Sequence, residues 1–287
     1  MLGLMLLAVV AIQKNQFSKA IVFIALSAFI KIFGLVLFAL FLIKPGISSW
    51  KKLLFTTFIV FAFLFLVPLL VIDWNYLLQQ YQEWFRLLRN DSSVFVKYSV
   101  MGWMMSWFSI TPNKTLILVL GLITQFLPIL LLFINKSYLF TQFSSNRSSQ
   151  IHSNKLNHIR FGWFTQFTSR CSLFPTKFLE IWAFTWIIWV VIFNHMAESA
   201  TFIIAVGGIV AYLRIIPEWN KWIHFQLVLL FAFTILGPTD IYPPAWRFWI
   251  VDTAQLKVFP VILFWGTMIL SLIKMGNSQQ SIVKQIR

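Results

Sequence analysis

Leu53–Ile72 is a run of 20 residues without one charged side chain, and Thr115–Ile134 is a second. A helix rises 1.5 Å per residue, so about 20 apolar residues cross the roughly 30 Å hydrocarbon core of a bilayer. Further apolar runs occupy Ala20–Ile43, Phe178–Phe193, Thr201–Ile216, Trp222–Leu236 and Val258–Ile273, with a shorter one at Leu2–Ile12. Only 11% of the 287 residues are charged and 59% are hydrophobic. A soluble domain is about 45–50% apolar and about 25% charged, so a chain of this size has no core large enough for these side chains. Lipid is the solvent that accommodates them. The runs are long and do not alternate, which predicts helices rather than a barrel. The expected architecture is all-α: a single polytopic transmembrane helical bundle over residues 1–287.

The net charge of +15 does not point to nucleic acid, because the basic residues lie in the gaps between apolar runs and no basic-aromatic binding module is present. They report orientation instead. Place Lys14–Lys19, Lys44–Lys52, Asn135–Lys177, Arg214–Lys221 and the tail after Ile273 on one face. That face then carries 16 Lys or Arg against Glu180 and Glu218, and the other face carries six basic and six acidic residues. The first face is expected to be cytoplasmic, with the carboxy terminus on it. The sorting requires Ala20–Ile43 to enter and leave on one side with Lys31 near its tip. If the segment spans instead, Lys31 sits at mid-depth and the count becomes 14 against eight. The lone Cys171 excludes an intrachain disulfide, and the scattered His residues make a metal site unexpected. The four Asn-x-Ser/Thr sequons fall on both predicted faces and read as chance matches.

Between Asp73 and Lys114 the apolar side chains Trp74, Leu77, Leu78, Tyr81, Trp84, Phe85 and Leu88 recur at helical spacing, opposite Gln, Glu and Arg. This predicts an amphipathic helix lying at the membrane interface. The outer connections are 73–114 and 237–257; the basic loop 135–177 is on the inner side.

Four groups of residues carry chemistry. Lys31 costs at least about 2.5–3.5 kcal/mol in hydrocarbon and needs a partner, either an anionic group such as a lipid phosphate or a structural contact. Asn194, His195, Glu198 and Ser199 meet in a tight connection where His195 and Glu198 can exchange protons, or where the segment simply caps the next helix. In Tyr98-Ser99-Val100-Met101-Gly102-Trp103 the indole of Trp103, or of Trp107, can stack on a sugar or anchor in the interface. Asp240 and Asp252 flank a Pro- and Trp-rich loop that can bind a polar substrate or remain solvated.

The order of AFIKIFGLVLFALFLI, LVPLLVIDWNYLLQQYQEWFRLL, SVMGWMMSWF and VVIFNHMAESATFIIAVGGIVAYL resembles glycosyltransferase family 87, in the form it takes in Bacteroidetes-type bacteria. The resemblance implies a C-type, polyprenyl-phosphate-sugar-dependent fold in the bacterial plasma (inner) membrane. It implies inverting transfer of a hexose, often mannose, on the extracytoplasmic face. The lipid-linked sugar is the donor and no cofactor is called for. By the same resemblance Lys31, Asn194, His195 and Glu198 are substrate-binding, with Trp103 added from its position and Glu198 the candidate catalytic carboxylate. Family members are longer, and the acidic residue expected as base precedes Met1. The chain is therefore expected to be a carboxy-terminal part, a mis-started frame, or a protein completed by a membrane partner. The alternative is a non-catalytic transporter or accessory subunit that handles a lipid-linked sugar.

Overall fold

A computed structural model describes residues 1–44, 47, 50–90, 98–147, 176–194 and 197–285. His195, Cys171, Asp91 and Lys97 lie outside the described residues. Among the described residues the regular structure is all helical. Three helical stretches are long and apolar enough to cross a membrane: Trp50–Leu70, Lys114–Leu132 and Phe259–Gly276. The fold is the polytopic all-α bundle that the apolar runs predict.

The chain begins with α1 (Leu2–Gln13) and α2 (Phe17–Ile30). At Lys31 the backbone becomes extended (φ −157°, ψ 132°), and a 3₁₀ segment (Ile32–Phe38) leads into α3 (Ala39–Ile43). The run 20–43 is therefore not one continuous helix. The chain reverses at Lys31, since the Lys44 ammonium donates to the Gln13 carbonyl at 3.2 Å and the Phe17 and Phe41 rings meet edge to face at 6.0 Å. Gly34 allows the close return. A Cβ there would lie 2.8 Å from Ser27 Cβ and 2.9 Å from the Ala28 amide nitrogen, nearer than a carbon atom tolerates.

Next come α4 (Trp50–Leu66), α5 (Trp74–Asn90), α6 (Val100–Phe108) and α7 (Lys114–Arg147). Leu53 is the buried residue of α4; its Phe55, Phe58 and Phe63 project outward, the face a lipid-bathed helix presents. The 74–90 segment forms the amphipathic helix that its spacing predicts. Asp73 caps it by accepting from the Tyr76 amide at 2.9 Å, and Tyr81 ties it to the end of α4 through the Phe65 carbonyl at 2.8 Å.

The centre of the bundle is α8 (Thr176–Ile192), whose residues from Ile181 to Ile192 are all buried. Trp182, Trp186 and Trp189 recur every three or four residues and pack edge to face along it, with ring centroids 5.7 and 5.3 Å apart. The remaining elements are α9 (Phe202–Ile215), α10 (Lys221–Leu229) continued by a π-helical Leu230–Leu236, α11 (Pro244–Phe248) continued by a π-helical Trp249–Thr253, and α12 (Phe259–Gln285).

Hydrocarbon gives no hydrophobic drive between helices, so buried polar groups specify how they pack. Gln125 of α7 is the clearest instance. Its side-chain amide donates to Thr185 Oγ1 of α8 at 2.6 Å, its side-chain oxygen accepts from Trp265 of α12 at 3.0 Å, and its backbone carbonyl accepts from Trp182 at 3.0 Å. One residue thus fixes the register of three helices. With those helices pinned, the ends of α2, α8 and α12 converge at one end of the bundle.

Candidate anion site

The turn between α8 and α9 is the focus of that end. Ser199–Thr201 is a single 3₁₀ turn preceded by Glu198 in extended conformation. Phe193 packs against the α7 and α12 helices, its ring filling the space beside Gly121 and meeting Trp265 at 5.4 Å. The turn is therefore held by the same packing that holds the bundle.

Two lysines from distant parts of the chain reach this turn. Lys31, at the tip of the α2 hairpin, donates to Thr201 Oγ1 at 3.2 Å and lies 4.9 Å from the centre of the Phe33 ring. Lys257, just before α12, donates to the Ser199 carbonyl at 3.0 Å and to Ser199 Oγ. Its side chain is only 2% exposed. Its ammonium lies 5.1 Å from the Phe202 ring centre and 6.0 Å from that of Tyr98. Burial pushes its pKa down to about 8, because desolvation penalises the charged form.

Among the described residues the ion pairs are Arg86–Glu83 and Arg247–Asp240, so neither Lys31 nor Lys257 has a carboxylate within 4.0 Å. Hydroxyls, a carbonyl and ring faces solvate the two ammoniums without neutralising them. Two ammoniums held on residues 199 and 201 of one turn, with no carboxylate beside them, can receive an anion. The ammonium is a compact point charge suited to phosphate oxygens.

The rim of the site is built by α6 and the loop after α11. Tyr98 donates to Asp252 Oδ1 at 2.6 Å; burial and this carboxylate both raise the Tyr98 pKa, burial the more. Trp107 donates to the Ala254 carbonyl at 2.7 Å. Trp103 stacks on Phe259 with centroids 5.7 Å apart and meets Phe108 edge to face at 5.5 Å, so Phe259 already covers one face of its ring. Asp240 pairs with Arg247 instead of joining Asp252.

Of the residues singled out in the sequence, Lys31 is thus brought onto the turn, and Glu198 immediately precedes it with an exposed side chain. Asn194 is half-buried at the end of α8, where its backbone carbonyl accepts from Ala197 at 3.1 Å. Trp103 stands at the α6 rim. Three groups escaped sequence reasoning. Thr201 looked like the first residue of an apolar run, Lys257 like an ordinary basic flank of the last one, and Tyr98 had no visible link to Asp252. Among the described residues no three His, Cys, Asp or Glu side chains come together as a metal site.

The fold and site define a polytopic helical membrane protein with a cationic, hydroxyl-bearing turn at one end. Residues 1–137 match the family model of glycosyltransferase family 87. Over that segment, a little under half of the chain, the protein is similar to glycosyltransferase family 87. No curated protein and no solved structure matches the chain. The matched segment contains Lys31 and Trp103, whereas Ser199, Thr201 and Lys257 lie beyond it.

Proposed function

We propose that the protein transfers a hexosyl group, a mannosyl group in the first instance, from a polyprenyl-phosphate sugar to an acceptor hydroxyl on the extracytoplasmic face of a bacterial plasma membrane. The observation that carries this reading is the pair Lys31 and Lys257, which meet on one turn without a carboxylate partner. The acceptor oxygen attacks C1 of the sugar as the C1–O bond to phosphate breaks, and polyprenyl phosphate leaves with the bonding electrons. Charge therefore grows on the phosphate during the reaction, and two fixed ammoniums placed there stabilise that growth more than they stabilise the ground state. The acceptor proton needs a base. Two carboxylates flank the turn at this end: Glu198, adjoining Ser199, and Asp252, held by Tyr98. Trp103 and Trp107 line the α6 rim, where a sugar ring would pass.

Membranes carrying the protein, supplied with labelled polyprenyl-phosphate mannose, test the reading. Wild type should transfer label to an endogenous acceptor. Lys31→Ala and Lys257→Ala should each bind the donor more weakly by about tenfold or more, since a hydrogen bond to a charged group contributes about 1.5–3 kcal/mol. Donor binding unchanged in both variants would refute the assignment of the phosphate to this turn.

A further inference from the structure

The first 72 residues hold six lysines and no Asp or Glu. Lys31 stands at one end of the bundle. Lys14, Lys19, Lys44, Lys51 and Lys52 stand at the other, where α1 ends, α2 begins, α3 ends and α4 begins. At that second end a cavity of about 370 Å³ opens between the α1–α2 connection and the first turns of α4. Its polar wall includes Lys19, Lys52, Asn15 and Ser18, and its apolar wall includes Ile21 and Leu53. Among the described residues no carboxylate lines it. The volume falls in the range of small-ligand sites, roughly 300–1,000 Å³.

The two walls together select the ligand. Two ammoniums and no acid favour an anion with hydrogen-bond acceptors. A free phosphate would leave the apolar wall unused. That wall also continues outward: along the face of α4 that carries Lys52 and Thr56, the next turns present Ile59 and Phe63, which are 47% and 65% exposed. A molecule with its phosphate between the lysines can therefore run its acyl chains along this face of α4. We propose that the cavity binds the phosphate-bearing headgroup of an anionic glycerophospholipid from the leaflet at this end. The site is separate from the Lys31–Lys257 turn, which lies at the opposite end of α2, and does not depend on the reaction proposed there. A lipid held between the start of α2 and the start of α4 would brace the base of the hairpin whose tip carries Lys31.

The full chain reconstituted into phosphatidylcholine nanodiscs with a minor fraction of phosphatidylglycerol tests the proposal, with retained lipid counted by native mass spectrometry. Wild type should retain phosphatidylglycerol about tenfold or more above its bulk share, the scale expected of two basic groups at an anionic headgroup. The double variant Lys19→Gln/Lys52→Gln should return retention to the bulk share. Thr56→Trp keeps both charges but fills the cavity, and should do the same; it also serves if the double variant fails to fold. Lys221→Gln, a basic residue at the same end but outside the cavity, should retain lipid as wild type does. Equal loss in Lys221→Gln would mean diffuse surface attraction and overturn the proposal, as would full retention in Thr56→Trp. Displacement of the lipid by inorganic phosphate alone would assign the cavity to free phosphate and overturn the lipid assignment.

Discussion

Lys257 gives the proposed donor site a pH signature that can be worked out in advance. Its pKa is about 8, against an ordinary value of 10.5, because it is buried. The phosphate of a polyprenyl-phosphate sugar is a diester and stays ionised across neutral and alkaline pH, so the protein's lysine sets the titration. With a pKa near 8, roughly ten in eleven Lys257 side chains are charged at pH 7 and roughly one in eleven at pH 9. If only the charged form makes the second phosphate contact, donor affinity falls about tenfold between those values. Affinity is nearly complete at pH 7 and is lost as pH rises through 8. Folding stability moves the other way. The folded pKa lies below the unfolded one, so the cost of burying the charged amine is present in full below pH 8 and is relieved as pH climbs toward 10.5. Donor affinity should therefore fall while the thermal stability of the empty protein holds or rises, a combination that alkaline damage would not produce. Lys257→Arg, which stays charged, should bind the donor without pH dependence from 7 to 9. Lys257→Met should bind weakly and equally at both. Titration of labelled polyprenyl-phosphate mannose into nanodisc-embedded protein at several pH values reads all three. A flat wild-type profile, or an undiminished slope in Lys257→Arg, would refute the reasoning.

Gly34→Ala places a methyl group 2.8 Å from Ser27 Cβ and 2.9 Å from a backbone nitrogen that cannot rotate away. The expected cost is about 1–3 kcal/mol, read as a lower melting temperature together with weaker donor binding as Lys31 shifts; an unchanged melting temperature would contradict the close return of the hairpin. Gln125→Leu strands the Trp265 N–H and removes the amide that donates to Thr185 Oγ1, whose hydroxyl keeps its own bond to the Trp182 carbonyl, and should cost about 0.6–3 kcal/mol by thermal unfolding in detergent. Glu198→Gln and Asp252→Asn, made separately, identify the proton acceptor: the variant that binds donor normally but loses transfer marks it, and full transfer in both would exclude the two carboxylates.

The helices themselves were legible in the sequence, because a run such as 53–72 has few other places to go. The amphipathic helix 74–90 was legible for a different reason, its apolar residues being confined to one face. Lys31 was legible as an expense that needs a partner, but the partner was not. Helices that are apolar all round carry no facing information, so nothing in AFIKIFGL states that Lys31 meets a hydroxyl 170 residues later. Lys257 was hidden more completely. Placed just before an apolar run, it has the sequence appearance of any snorkelling flank; only the fold turns it inward, onto Ser199 58 residues away. The charge pattern could not choose between a spanning and a reversing 20–43 segment either, because the choice rests on Gly34 meeting Ser27, a contact that involves no charge. These hidden features bear on the family match. That match ends at residue 137 and so covers one lysine of the pair and none of the turn that both lysines hold. The carboxy-terminal part supplies Ser199, Thr201 and Lys257, and Gln125 binds its helices to α7. Whatever the amino-terminal part does with Lys31, it does against a surface built by residues the match does not reach, and variants at Ser199, Thr201 and Lys257 are where the proposed chemistry is most exposed to disproof.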